Sequence, residues 1–169
     1  MSPEMQNKLN NQIGMEAYAS FLYLSMSVWC DYKGLMGCAR FLKRQSAEEH
    51  MHMMKLVEYV QEVDGYPSIP SIAQPPGDFK DIDTLFQEVL GHEKKVTRAI
   101  NDLVEFSSKE KDHSTYNFLQ WYVEEQREEE NLMRTILDKI NLIGDSPQKL
   151  YYIDKELEAI NDSVESGGA

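Results

Sequence analysis

One stretch of the sequence, LQWYVEEQREEENLMRTILDKINLI at residues 119–143, repeats a single pattern over its whole length. Positions three and four residues apart form one series, whose apolar members are Leu119, Tyr122, Met133, Ile136, Ile140 and Ile143. This spacing places them on one face of an α-helix that packs against other helices. Between Tyr122 and Met133 the series continues through two polar residues, Gln126 and Glu129. The stretch therefore predicts a buried helix with a polar level at mid-length.

The same spacing predicts three further long helices and one short one in a single domain of 169 residues. The long helices cover about residues 3–31, 36–64, 82–110 and, after a break at 111–113, up to about Gly144; the short one covers about 147–161, before a frayed tail at 162–169. Ser2 and Asp81 are expected to cap the first and third helices, because a short polar side chain can accept a bond from the first helical turn. Gly65 is expected to end the second helix.

A proline-rich segment separates the two pairs of long helices. Every proline except Pro3 and Pro147 falls between residues 67 and 76, so the segment 66–80 cannot be helical. About 16 extended residues at ~3.3 Å each span ~50 Å, whereas a helix of about 29 residues is ~43 Å long. This connection can return along the whole bundle, while the other breaks are short. We predict an all-α four-helix bundle with a long crossover between the second and third helices.

Each long helix carries polar side chains where its apolar series is interrupted. We call this set the polar layer; it comprises Glu16, Gln45, Glu49, His52, Glu93, Gln126 and Glu129. Glu16 and His52 each lie 18 residues from the break at Gly34, and Glu93 and Glu129 lie 19 and 17 residues from the break at Asp112. Antiparallel helices place residues equidistant from their turn at the same height. The polar layer is therefore expected at one level of the bundle.

Carboxylates in a bundle core need a compensating charge, because burying an unpaired ion is costly. A metal cation is the natural partner for several converging carboxylates. Oxygen donors with a single imidazole favour iron or manganese over zinc, which prefers more cysteine or histidine.

Composition excludes several other classes of function. The net charge of −12 argues against nucleic acid and anionic membrane surfaces as partners. No stretch approaches the roughly 18 apolar residues that a membrane span requires. The polar segment Met1 to Asn10 does not resemble a signal peptide. Cys30 and Cys38 form no close-set ligand pair, so we expect reduced thiols in a cytoplasmic protein.

From about Met1 to Asn161 the sequence resembles the ferritins, specifically the bacterial non-haem type. The motifs that carry this resemblance are the segment Glu16 to Tyr23, Ala-Glu-Glu at 47–49 with His52, His92-Glu93, and Asn117-Phe-Leu-Gln-Trp-Tyr-Val-Glu-Glu-Gln126 continuing to Glu130. Ferritin-like bundles with inward-facing carboxylate sites are a known instance of the predicted architecture.

The resemblance implies a ferroxidase centre of two irons. Glu16, Glu49 and His52 would hold the first iron. Glu93 and Glu129 would join a shared Glu49 at the second, with Gln126 nearby. It further implies a third iron position, whose ligands would be Glu48, Glu125, Glu128 and Glu129. Tyr23 would stand beside the centre and supply an electron to oxygen.

At the level of the assembly, the resemblance implies an iron-storage shell of 24 subunits. Its subunits would oxidise Fe(II) with dioxygen or hydrogen peroxide and deposit ferric oxyhydroxide inside. One departure separates subfamilies: bacterioferritins repeat Glu-x-x-His in the second helix pair, where this chain has Gln126-Arg127-Glu128-Glu129. His50 also stands where bacterioferritins carry a haem-ligating methionine, so we expect no haem.

Two other classes of protein are alternatives. A di-iron or di-manganese enzyme that reduces peroxide or oxygen would usually have the second Glu-x-x-His that is missing here. An interaction bundle without metal would gain no thermal stability from iron(II) or manganese(II), whereas a metal protein would.

Overall fold

The computed structural model describes residues 1–167, with the side chains of residues 1–163, and this part of the chain folds into five α-helices. The helices are α1 (Pro3–Tyr32), α2 (Met36–Glu62), α3 (Ile82–Lys109), α4 (His113–Ile143) and α5 (Lys149–Gly167). The predicted all-α class and the four long helices are confirmed. None of the helices in residues 1–167 combines the length and the apolar character that crossing a membrane would require.

The helix ends show which local predictions were right. Ser2 Oγ accepts from the Met5 N–H at 3.2 Å, and Asp81 Oδ1 accepts from the Thr84 N–H at 2.7 Å, so both predicted caps are confirmed. The end of α2 was predicted wrongly, because the helix stops at Glu62 and the residue with left-handed φ (59°) is Asp64. Gly65 serves a different need: a Cβ there would lie 2.8 Å from the backbone oxygen of Val60.

The connection between α2 and α3 runs along α1, as its length predicts. Near the start of α1, the Tyr66 N–H donates to Gln6 Oε1 at 3.0 Å. Near the other end, Trp29 Nε1 donates to Asp78 Oδ1 at 3.1 Å. The segment therefore travels the length of the bundle. The predicted crossover, which makes α2 and α3 parallel, is confirmed.

The short helix α5 differs from its predicted bounds at both ends. The Lys149 N–H bonds the Ser146 carbonyl at 3.1 Å, so a turn precedes the helix and moves its start to Lys149. The helix continues to Gly167, past the predicted end at 161; of the predicted frayed tail, residues 168–169 lie outside the described part. In the first added turn, Asp162 lies 3.7 Å from Arg40 of α2. Asn161, at the predicted end, is only 2% exposed.

The hydrophobic core consists of two clusters with the polar layer between them. On α1 one cluster ends at Ile13 and the other begins at Ala19, with Glu16 in the gap. On α3 the gap between Val89 and Val96 holds Glu93. The gaps on α2 and α4 hold the other members, and every member of the layer is less than 9% exposed. The polar layer therefore crosses the bundle core at one level, as the sequence spacing predicts.

Candidate metal centre

Glu16, Glu49 and His52 form the compact part of the polar layer. Each offers one ligand atom, and the three atoms all lie within 4.8 Å of one another. Glu16 Oε1 accepts from Gln12 Nε2 at 2.8 Å, and Glu49 Oε2 lies 3.4 Å from His52 Nδ1. The remaining oxygens, Glu16 Oε2 and Glu49 Oε1, are buried and have no hydrogen-bond partner among the described residues. Buried acceptors without donors are rare, and a cation placed between them would satisfy both.

Burial disfavours the charged forms of these carboxylates. It is the largest cause that raises the pKa of Glu16 well above its ordinary value, and the charge of Glu49 adds to it. Burial also raises the pKa of Glu49, with a further rise from the charge of Glu93. A bound cation would reverse this, because an adjacent positive charge favours the ionised carboxylate.

Glu93, opposite this group, is held by donors from two other helices. The Tyr23 hydroxyl donates to Glu93 Oε1, and Gln126 Nε2 donates to Glu93 Oε2 at 3.0 Å. Burial, followed by the charge of Glu93, raises the pKa of the Tyr23 hydroxyl well above its usual range. Beside Tyr23, the ring of His92 lies edge-on at 6.1 Å, and burial followed by the charge of Lys95 lowers the His92 pKa to about 4. Tyr23 is therefore a neutral hydrogen-bond donor to the centre.

Glu129 reaches the polar layer from α4. Gln45 Nε2 donates to Glu129 Oε2 at 3.0 Å. Burial is the main cause that raises the pKa of Glu129 to about 8, and the charge of Glu93 follows. Glu93 and Glu129 are not members of the compact group. Each accepts a hydrogen bond from a glutamine side chain, Glu93 from Gln126 and Glu129 from Gln45.

A family model described as "Ferritin-like domain" matches residues 6–143. The chain belongs to the ferritin family. It is 44% identical over 161 residues to the bacterial non-heme ferritin of Escherichia coli O6:H1, covering 95% of this chain and 98% of that one. The ferritin of Campylobacter jejuni is also 44% identical, over 160 residues and 96% of its length. An open pore ferritin from the archaeon Archaeoglobus fulgidus superposes with a TM-score of 0.91 at 42% identity, over 94% of this chain and 96% of that chain.

Of the four acidic residues named for a third iron position in this ferritin, two lie in a pocket beside His52. Glu48 and Glu125 line one pocket of about 460 Å³, together with His52 and Trp121. Burial raises the pKa of Glu125. Glu128 does not line the pocket; its side chain is 68% exposed and lies 3.8 Å from Arg127. Two of the four residues thus share a pocket, Glu129 lies in the polar layer, and Glu128 faces solvent.

The sequence patterns missed two residues that position the site in this ferritin, Gln12 and Tyr122. Gln12 bonds Glu16 from one turn earlier on α1, and its i, i+4 spacing was the available signal. The Tyr122 hydroxyl donates to the His52 backbone oxygen at 2.7 Å, which fixes α4 against α2. No signal in the sequence marks this contact between two helices, because Tyr122 belongs to the apolar series of α4 and the pattern assigns it to the hydrophobic core.

Proposed function

We propose that this ferritin subunit stores iron by oxidising Fe(II) at the polar layer and releasing the ferric product to a mineral. The observation that carries the proposal is the pair of buried, unpartnered oxygens on Glu16 and Glu49 beside His52. A donor set of carboxylates and one imidazole suits iron. Anionic oxygens also stabilise iron(III) more than iron(II), which makes the bound iron(II) easier to oxidise.

We propose a role for each residue that its contacts support. Glu16, Glu49 and His52 bind the first Fe(II), and Gln12 orients Glu16. Glu93 and Glu129 bind the second with a shared Glu49. Their present donors, Gln126 and Gln45, keep the two carboxylates in place before iron arrives. Gln126 and Glu129 stand where a second Glu-x-x-His would make the two positions alike, and the neutral amide of Gln126 favours loose binding and release of the ferric product.

The assembly and setting belong to the same proposal. We infer a shell of 24 copies that encloses the mineral, dioxygen or hydrogen peroxide as oxidant, a third iron position on Glu48, Glu125, Glu128 and Glu129, no haem, and a cytoplasmic location. The membership of the chain in the ferritin family supports storage in a shell. The pocket shared by Glu48 and Glu125 supports a third position next to His52.

Aerobic loading of the purified protein with Fe(II) tests storage directly. We expect thousands of irons in a particle of several hundred kilodaltons, measured by iron analysis and light scattering on the same fractions. Retention of only two or three irons per chain, with no growth of an electron-dense core, would instead favour a non-storage di-iron enzyme.

Tyr23→Phe tests the proposed electron donor. The change removes the hydroxyl that bonds Glu93 and leaves the buried ring in place. We expect oxidation slower by about 10- to 100-fold, the range for loss of a group that supports a metal ligand, with two irons still bound per chain. Tyr18→Phe is the matched control, because Tyr18 packs on the same His92 ring at 5.6 Å. Equal rates in the two variants would contradict the role of Tyr23.

A further inference from the structure

Arg44 links Glu48, which lines the pocket beside His52, to the C-terminal helix α5. It lies one turn before Glu48 on α2, and its Nη1 donates to Glu48 Oε1 at 2.6 Å. Its Nε donates to Asn161 Oδ1 on α5 at 2.9 Å. The Arg44 side chain is 19% exposed and that of Glu48 is 27% exposed, while Asn161 is buried. One guanidinium therefore contacts both a residue of the proposed third iron position and a helix outside the four-helix bundle.

The guanidinium is held in place independently of Glu48. Its carbon lies 5.4 Å from the centre of the Phe41 ring, and the Asn161 amide fixes its Nε. Among the described residues, Glu48 is the one carboxylate in an ion pair with Arg44, and Arg44 Nη2 is buried without a hydrogen-bond partner. The ring and amide contacts of Arg44 do not involve Glu48, so they do not depend on where the Glu48 carboxylate lies.

The charge of Glu48 affects the neighbouring carboxylates. For both Glu125 and Glu129, burial is the largest cause of a raised pKa, and the negative charge of Glu48 raises it further. A divalent cation in the pocket would use the Glu48 carboxylate that Arg44 now holds. The cation would also lie close to the positive charge of Arg44, and the repulsion between the two charges would oppose its binding.

We propose that Arg44 is a positioning residue that competes with the third cation for Glu48. It holds the Glu48 carboxylate while the pocket has no metal, and it weakens divalent binding there so that a cation stays briefly. Through Asn161, the docking of α5 sets where this competing charge stands. The inference rests on the proposed function, because it assumes that Glu48 contributes to a third metal position.

Binding of Co(II) to the assembled, iron-free protein tests the inference without any oxidation step. Arg44→Met keeps the packing on Phe41 and removes the charge. We expect the dissociation constant of the third Co(II) to fall by about two- to fivefold, as for loss of a partly exposed ion pair, with the first two unchanged. Arg44→Gln, which keeps a donor for Asn161, should act in the same direction, and Arg44→Lys should remain near the wild-type value.

Arg40→Met is the matched control for the docking of α5. Arg40 lies one turn earlier on α2 and pairs with Glu158 and Asp162 of α5, at 3.7 Å each. The Arg40→Met variant should bind the third Co(II) with the wild-type dissociation constant. The inference would be overturned if wild type and Arg44→Met bound the third Co(II) with equal affinity, or if Arg40→Met gained as much affinity for it as Arg44→Met. Either result would leave the proposed third metal position intact. Binding of only two Co(II) by both wild type and Arg44→Met would overturn the third position and the inference together.

Discussion

Glu49→Gln should reduce the initial rate of Fe(II) oxidation by on the order of 100-fold or more, because it removes a ligand that both irons are proposed to share. Glutamine has nearly the same shape as glutamate, so the fold and the assembly should persist. Glu49 is 1% exposed, and one of its oxygens has no hydrogen-bond partner among the described residues. An amide oxygen can replace an acceptor but cannot supply the negative charge that stabilises iron(III).

Glu62→Gln is the control for the change of charge. Glu62 is the last residue of α2, on the same helix, and it is exposed. Stopped-flow measurement of the first turnover, at equal particle size for all three proteins, should show the wild-type rate for Glu62→Gln. A wild-type initial rate in Glu49→Gln would mean that iron is oxidised elsewhere and would remove the polar layer from the mechanism.

The level of the polar layer could be predicted because helix geometry is regular. Residues at three- and four-residue spacing share a face whatever their neighbours do. Equal distances from the two short breaks therefore fixed the height of Glu16, His52, Glu93 and Glu129. The two hydrophobic clusters lie on either side of the polar layer, and on α1 Glu16 lies between Ile13 of one cluster and Ala19 of the other.

Helix ends were less predictable, because tertiary contacts decide them. Glycine is the usual residue for a left-handed turn, yet at the end of α2 the turn falls on Asp64 and Gly65 is needed for its lack of a Cβ. At the start of α2, the Cys38 N–H is satisfied by Asp154 Oδ1 of α5 at 3.0 Å. A cap supplied from 116 residues away leaves no local signal.

Within the site, the spacing indicated which residues meet but not how they bond. Glu16, Glu49 and His52 come together, whereas Glu93 and Glu129 are held by Gln126 and Gln45. Side-chain bonds between different helices depend on rotamers, which the pattern does not specify. For the same reason, the bond from Arg44 to Asn161 could not be foreseen.

The metal-free protein should lose stability as pH rises from about 5 to 8, because the polar layer must then hold ionised carboxylates without a cation. The pKa of Glu129 in the folded protein is raised from 4.5 to about 8. A raised carboxyl pKa favours folding below the unfolded value, and this contribution is lost as pH rises through the folded value. For Glu129 alone the loss amounts to about 4 kcal/mol per subunit at pH 8.

Thermal unfolding in a chelator should therefore show a melting temperature that falls across this window, and Glu129→Gln should flatten the decline. Glu88→Gln, on the exposed side of α3, should leave the slope unchanged. Manganese(II) should restore stability most strongly near pH 8, since it binds ionised ligands and acts by mass action on the folded state. Suppose that the melting temperature fell with pH at the same slope in wild type and Glu129→Gln, and that manganese(II) had no effect. The carboxylates of the polar layer would then be tolerated in the folded protein without metal.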